Sequence, residues 1–182
     1  TSDVVVSSLE QPVDFHALVD SGINKPARYM GHELGVEPRD WKKASVRWAL
    51  TYPEIYEVGS SNLGHIILYS ILNAVPGQLC DRAYLPAADL AARLRERQQP
   101  LFAVESRRPL PAFDILGFSL SYELGATNIL EMLDLCRLPL YAADRGDLPL
   151  SDPAAPPLIF AGGPTATSNP EPYAAFFDFV AL

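Results

Sequence analysis

FDILGFSLS, Phe113 to Ser121, is a nearly continuous apolar run, entered past Pro111 and left through Tyr122-Glu123. A strand covered by helices on both faces carries such a run, whereas a half-solvated strand alternates. The run therefore predicts the central strand of a parallel sheet. After it, Leu124 to Leu138 sets Ile129, Leu130, Leu133 and Cys136 or Arg137 at helical spacing, with Glu131 and Asp134 outside. Before it, Leu101 to Glu105 alternates enough for a short extra strand at an edge, closed by the turn Ser106-Arg107-Arg108-Pro109.

Outward from this centre the strand and helix signals take turns. Ser45 to Pro53 alternates Val46, Trp48 and Leu50 and reads as the first core strand. Leu63 to Leu72 repeats Leu63, Ile66, Ile67 and Ile71 at helical spacing and stops at Pro76-Gly77. Cys80 to Leu85 is a weaker strand, followed by a helix over Ala87 to Gln98 with Leu90, Ala91 and Leu94 inward and its arginines solvated. A loop rich in Pro, Asp and Ala, Ala142 to Pro157, reads as an exposed excursion leading to LIFAGGPTATSN, Leu158 to Asn169: a buried strand ending in paired glycines. Pro170 to Phe176 allows a short helix, and Asp178 to Leu182 reads as another buried strand. Strands alternating with helices predict parallel pairing through right-handed crossovers: an α/β, doubly wound three-layer sandwich of strand order 2-1-3-4-5, flavodoxin-like or Rossmann-like.

Ahead of the sheet, residues 1–45 read as an arm packed on the domain of residues 46–182. The arm holds a short helix over Val13 to Val19, stopped at Ser21-Gly22, and then INKPARYMGHELGVEPRDW, which mixes charge, aromatics and proline without a period. Lys25, Arg28 and Tyr29 in it are candidates for an anion, against the alternative of a solvated basic pair. The start without methionine and the stop on a strand predict a piece of a longer protein.

Composition bounds the function. The 182 residues suit one domain, and 48% hydrophobic with 20% charged residues is globular usage. A formal charge of −8 argues against a phosphate-tracking surface, so no direct nucleic-acid partner is expected. No apolar run reaches the ~20 residues that span a bilayer, and the start lacks a basic leader, so a cytoplasmic protein without a membrane partner is expected. Cys80 and Cys136 lie far apart with no C-x-x-C partner and read as buried thiols.

Ligands of open α/β sheets bind beyond the carboxyl ends of the strands, where three loops should converge: Glu54 to Gly64, Ser119 to Gly125, and Gly162 to Asn169. Glycines and hydroxyls dominate them, which favours holding a large ligand over acid–base chemistry. A phosphorelay receiver would need acidic residues after the first and third strands; Tyr52-Pro53-Glu54 and Ser119 to Tyr122 do not supply them. Gly117-Phe118-Ser119-Leu120-Ser121 is one glycine short of a nucleophile elbow. His16, His32 and His65 lack metal-ligand spacing. A free-standing flavin or nucleotide module would use Ser60 to Gly64 at a helix start, without a specific phosphate-loop spacing.

Ser119 on its strand and Gly162-Gly163 farther on resemble the Ser and Gly-Gly parts of the cobalamin-binding domain pattern. In that pattern Asp-x-His-x-x-Gly follows the first strand and its histidine ligates cobalt. Here Gly59 stands where Asp would be and Ser61 where His would be, while Gly64 matches; His65 is one position too far on. KPARYMGHE, EIYEVGSSNLG with its helix, ESRRPL, FDILGFSLSYELGATNILEML and FAGGPTATSNPEP together resemble the N-terminal B12-binding-like domain of radical SAM proteins, over residues 25–182.

The resemblance implies cobalamin as a candidate cofactor of this domain, held without a histidine ligand by Ser61, Gly64, Ser119, Ser121, Gly162, Gly163 and Thr165. It implies no catalytic and no metal-ligating residue here. The partner implied is a C-terminal radical SAM barrel, whose C-x-x-x-C-x-x-C motif holds a [4Fe-4S] cluster and which binds S-adenosylmethionine; that motif does not occur in this chain. The alternative is a degenerate domain that binds no corrin and serves the barrel as a docking or substrate-presenting surface. Tyr56, Tyr122 or Glu123 projecting over the edge would favour it. On the cobalamin reading, Gly163→Leu should block the cofactor's tail and leave the fold intact.

Overall fold

The computed structural model describes residues 11–20, 22–31, 33, 36, 39–152 and 154–182. Thr1 to Glu10, Ser21 and His32, each part of an expectation above, lie outside them. The sheet has β1 Val46–Tyr52, β2 Gln78–Tyr84, β3 Ile115–Ser119, β4 Leu158–Gly162 and β5 Phe179–Ala181, all pairing parallel in the order β2-β1-β3-β4-β5. This is the expected 2-1-3-4-5 α/β sandwich, with β3 at its centre. The order reverses between β1 and β3, so the crevice at their carboxyl ends is the topological switch point.

Among the described residues six α-helices connect or flank the strands: α1 Phe15–Leu18, α2 Tyr56–Gly59, α3 Leu63–Ala74, α4 Ala88–Glu96, α5 Gly125–Leu135 and α6 Pro164–Ser168. Register partners share a face, so Ala49, Leu116, Ile159 and their neighbours Phe118 and Ala161 form one side of the sheet. That side packs into a single buried cluster with Leu90 and Leu94 of α4 and with Ile129, Met132 and Leu133 of α5. Val13, Phe15, Leu18, Val19, Ile23 and Trp41 join the same cluster, Trp41 edge-on to Phe113. Truncating one of these core leucines costs about 2–5 kcal/mol, through lost transfer energy and the cavity left behind. The opposite side carries Trp48, Leu50, Tyr52, Cys80, Arg82, Tyr84, Ile115, Gly117 and Phe160, and α3 lies on it over β1 and β2.

Several elements depart from the sequence reading. Leu101 to Glu105 lies at the sheet edge as expected, yet as a buried turn rather than a strand: one antiparallel bridge pairs Phe102 with Pro109. The Val104 amide donates to the Arg82 carbonyl at 2.9 Å, and buried Asp81 accepts the amides of Glu105 and Ser106. The turn thereby covers the open edge of β2. β5 is an edge strand with Phe179 and Ala181 exposed, not a buried one. Pro170 to Phe176 forms a single 3-10 turn, Ala174–Phe176. The supposed excursion before β4 contains a buried residue, Arg145: its guanidinium donates to the carbonyls of Pro139, Leu140 and Phe176 and to Asp178, tying the loop to the start of β5. The helix after β1 forms where predicted, with Asn62 as its cap, but Leu63, Ile66, Ile67 and Ile71 point outward while His65 and Asn73 point in.

Candidate functional site at the carboxyl edge of the sheet

The turn after β3 and the end of β4 are stitched together. Ser119 pairs in register with Gly162, the Leu120 amide donates to the Gly162 carbonyl at 2.8 Å, and the Thr165 amide donates to the Leu120 carbonyl at 3.3 Å. Gly163 takes φ +116°, and a Cβ there would lie 2.8 Å from the Leu120 carbonyl oxygen. The close approach that demands a glycine is thus made by the chain's own backbone. The sheet brings Ser119, Ser121, Gly162, Gly163 and Thr165 to one edge, Thr165 buried and the others half-buried.

Ser61 and Gly64 stand apart from these, at the start of α3 beyond β1. Ser61 donates to the carbonyls of Glu57 and Val58, closing α2. Asn62 caps α3 by accepting from the His65 amide at 3.0 Å and donates to the Tyr52 hydroxyl at 3.2 Å; a cap of this kind is worth about 1 kcal/mol. Gly64 is exposed in the first turn of α3.

At the switch point a polar bridge crosses from β1 to β3. The Tyr122 hydroxyl meets the Glu54 carboxylate, and Asn128 of α5 donates to the Pro53 carbonyl at 2.8 Å and to Glu54 at 3.4 Å. Asn128 escaped the sequence reading, because a lone asparagine on a helix carries no motif. Tyr56 is elsewhere: its ring packs edge-on to Tyr84 over β2 and its hydroxyl donates to Glu33, with burial first and Glu33 second pushing its pKa up to about 12. Glu123 is exposed.

Beneath α3 lies a buried polar group that sequence reasoning also missed. Arg82, 4% exposed, pairs with Glu33 and Glu105 at 2.9 Å each and lies over the Tyr69 ring, whose hydroxyl donates to Glu105 at 2.9 Å. Burial, then the nearby Asp81 charge, pushes Glu105 up to about 7. His65 is 2% exposed between the rings of Tyr52 and Tyr84, with neither ring nitrogen hydrogen-bonded. Burial, reinforced by the Arg82 charge, lowers its pKa to about 4.

Because the folded state holds His65 neutral while the unfolded chain protonates near 6.5, stability falls as pH drops through the window from about 6.5 to about 4. His65→Leu removes this term. The stability of the variant relative to the wild type should therefore rise by about 2 kcal/mol between pH 7 and pH 5, read from urea midpoints at the two pH values. A difference that does not change with pH would show that the imidazole is solvated.

The arm's basic residues are used internally. Lys25 and Arg28 both reach Glu57, at 3.4 and 2.9 Å, and the Tyr29 hydroxyl accepts from the Ala87 amide; the anion-binding expectation gives way to these contacts. Cys80 and Cys136 are buried free thiols, their pKa values raised by burial. Among the described residues no three His, Cys, Asp or Glu side chains group to hold a metal ion, and no helix is long and apolar enough to cross a membrane.

A search of curated proteins finds no match to the chain. The family model for the N-terminal region of radical SAM proteins matches residues 64–182, running from the first turn of α3 through β5. On that match, and with the 2-1-3-4-5 parallel sheet expected of a B12-binding-like domain, the chain belongs to the radical SAM N-terminal domain family, the non-catalytic accessory part of radical SAM enzymes.

Proposed function

We propose that this domain keeps the B12-binding-like fold without taking up a corrin, and acts as a docking or substrate-presenting surface for a radical SAM catalytic domain. The observation that carries this reading is the Tyr122–Glu54–Asn128 bridge across the switch point, where a ligand of this sheet would sit. Three further features support it. Gly59 and Ser61 occupy the Asp and His positions of the cobalt-ligating motif. His65, one position past Gly64, is enclosed between α3 and the sheet, against Tyr52 and Tyr84. The space that Gly163 leaves free is taken by the Leu120 backbone.

The competing reading, a corrin held without a protein ligand, draws on the clustering of Ser119, Ser121, Gly162, Gly163 and Thr165 along one edge. These residues do not fit a nucleotide tail, because the Leu120 backbone fills the space beside Gly163. A [4Fe-4S] cluster and S-adenosylmethionine belong, on this reading, to the catalytic portion of the protein. The deciding experiment incubates the full-length protein with hydroxocobalamin or base-off cobinamide and quantifies corrin after gel filtration. Neither corrin should co-elute above the level seen with an unrelated protein. Stoichiometric co-elution with a shifted absorbance spectrum would overturn the proposal in favour of a cofactor domain.

A further inference from the structure

The row of α3 that faces the sheet is His65, Tyr69 and Asn73, four residues apart. His65 and Asn73 are buried, Tyr69 reaches Glu105, and Asn73 bonds the Cys80 backbone. Leu63, Ile67 and Ile71 each precede one of these by two positions. At about 100° per residue they lie on the opposite side of the helix and point away from the sheet. They are 68, 48 and 56% exposed, with Ile66 and Leu68 on the two shoulders at 38 and 49%.

This outer face is also without charge. No Asp, Glu, Lys or Arg occurs from Val58 to Cys80, although 20% of the chain is charged. The other long helices face water differently: α4 exposes Arg95 and Glu96, and α5 exposes Asp134. A helix apolar on all sides belongs in a buried setting, and a contiguous exposed apolar patch of this kind marks an interaction surface.

We infer that the outer row of α3, Leu63, Ile67 and Ile71, is the contact face of a twofold homodimer, packed against the same row of a second copy of this chain. The inference goes beyond the docking reading above and does not depend on it. Charge selects the occupant. A twofold contact sets a patch against itself, so a charged patch repels its own copy and an uncharged one does not. With a formal charge of −8, two copies repel each other in general, and this face lets them meet without bringing like charges together. It offers no counter-ion to a charged partner. Size fits as well. Leu63, Ile66, Ile67, Leu68, Ile71 and Val75 together expose about 500 Å², so pairing would bury about 1,000 Å² in all, the lower bound of a specific interface before flanking residues are counted. The spacing of four within the row is that of the ridges which interdigitate in the commonest class of helix pair.

Light scattering of the full-length protein over a dilution series tests this. The wild type should show the mass of a dimer. Ile67, in the middle of the row, would lie near the twofold axis, so Ile67→Glu and Ile67→Lys each set like charges against each other and should weaken self-association at least about a hundredfold. An equimolar mixture of the two variants should regain the dimer, because opposite charges then meet; this recovery also shows that both variants fold. If either does not, Leu63→Glu and Leu63→Lys repeat the pair at the most exposed position of the row. Leu148→Glu, in the loop between α5 and β4, should leave the wild-type mass unchanged. A wild type that is monomeric throughout would overturn the inference. So would a dimer indifferent to the charge at position 67, or a mixture that stays monomeric, since the face would then meet something other than its own copy.

Discussion

Gly163→Ala is expected to destabilise the chain by about 3 kcal/mol, although the change adds a single methyl group. Two costs combine. The backbone at φ +116° lies where L-residues are strained, worth of order 1–3 kcal/mol. The new Cβ would also sit 2.8 Å from the Leu120 carbonyl oxygen, a backbone atom already accepting from Thr165 and unable to swing away; overpacking of this kind typically costs ~1–3 kcal/mol more. Gly162→Ala is the control. Its Cβ would meet nothing nearer than Ala181 at 3.6 Å, so its effect should stay within about 1 kcal/mol. Urea midpoints of the two variants measure the contrast, and equal midpoints would show that the turn relaxes freely around Gly163. Gly163→Leu, expected from the sequence to block a ligand and spare the fold, should instead be the more damaging substitution of the three.

Arg82→Met should cost about 3–5 kcal/mol at pH 8, because Glu105 and Glu33 lose the cation that compensates their burial. The pH dependence identifies the cause. Glu105, already raised to about 7 in the folded state by burial and by Asp81, rises further without Arg82, whereas its unfolded value stays near 4.5. An acid with a raised folded pKa binds more protons folded than unfolded between those values. Its stabilising contribution is therefore fully present below about 4.5 and lost as pH rises through the folded pKa. The deficit of Arg82→Met should accordingly shrink between pH 8 and pH 5. Arg82→Met combined with Glu105→Gln should recover more than half of the loss at pH 8, since no unpaired carboxylate then remains at that position. A deficit that is constant with pH and unrelieved in the double variant would assign the effect to lost packing against Tyr69.

Both variants act through contacts that local sequence does not encode. Gly163 reads as a turn glycine in LIFAGGPTATSN, and the ligand-facing role inferred from its likeness to a cofactor motif assumed an open edge. The Leu120 backbone, supplied by another βα unit, fills that space. Arg82 and Asp81 interrupt the apolar pattern of β2 and make it look a weak strand. In the fold they anchor the turn over its edge, through partners more than 20 residues away.

The sequence by itself determined the architecture, because its signals are local: an unbroken apolar run for β3, alternation in β1, apolar residues at helical spacing between strands, and the chirality that makes a βαβα succession wind in one direction. Parallel winding also placed the three glycine- and hydroxyl-rich loops at one edge before any contact was known. Tertiary structure alone decided which contacts those loops make with one another. Hydrophobic periodicity reports that Leu63, Ile67 and Ile71 are apolar, not whether anything covers them. Likewise, the Tyr122–Glu54–Asn128 bridge joins residues brought together only when β1 and β3 pair, and a hydrogen bond between distant segments leaves no period in the sequence.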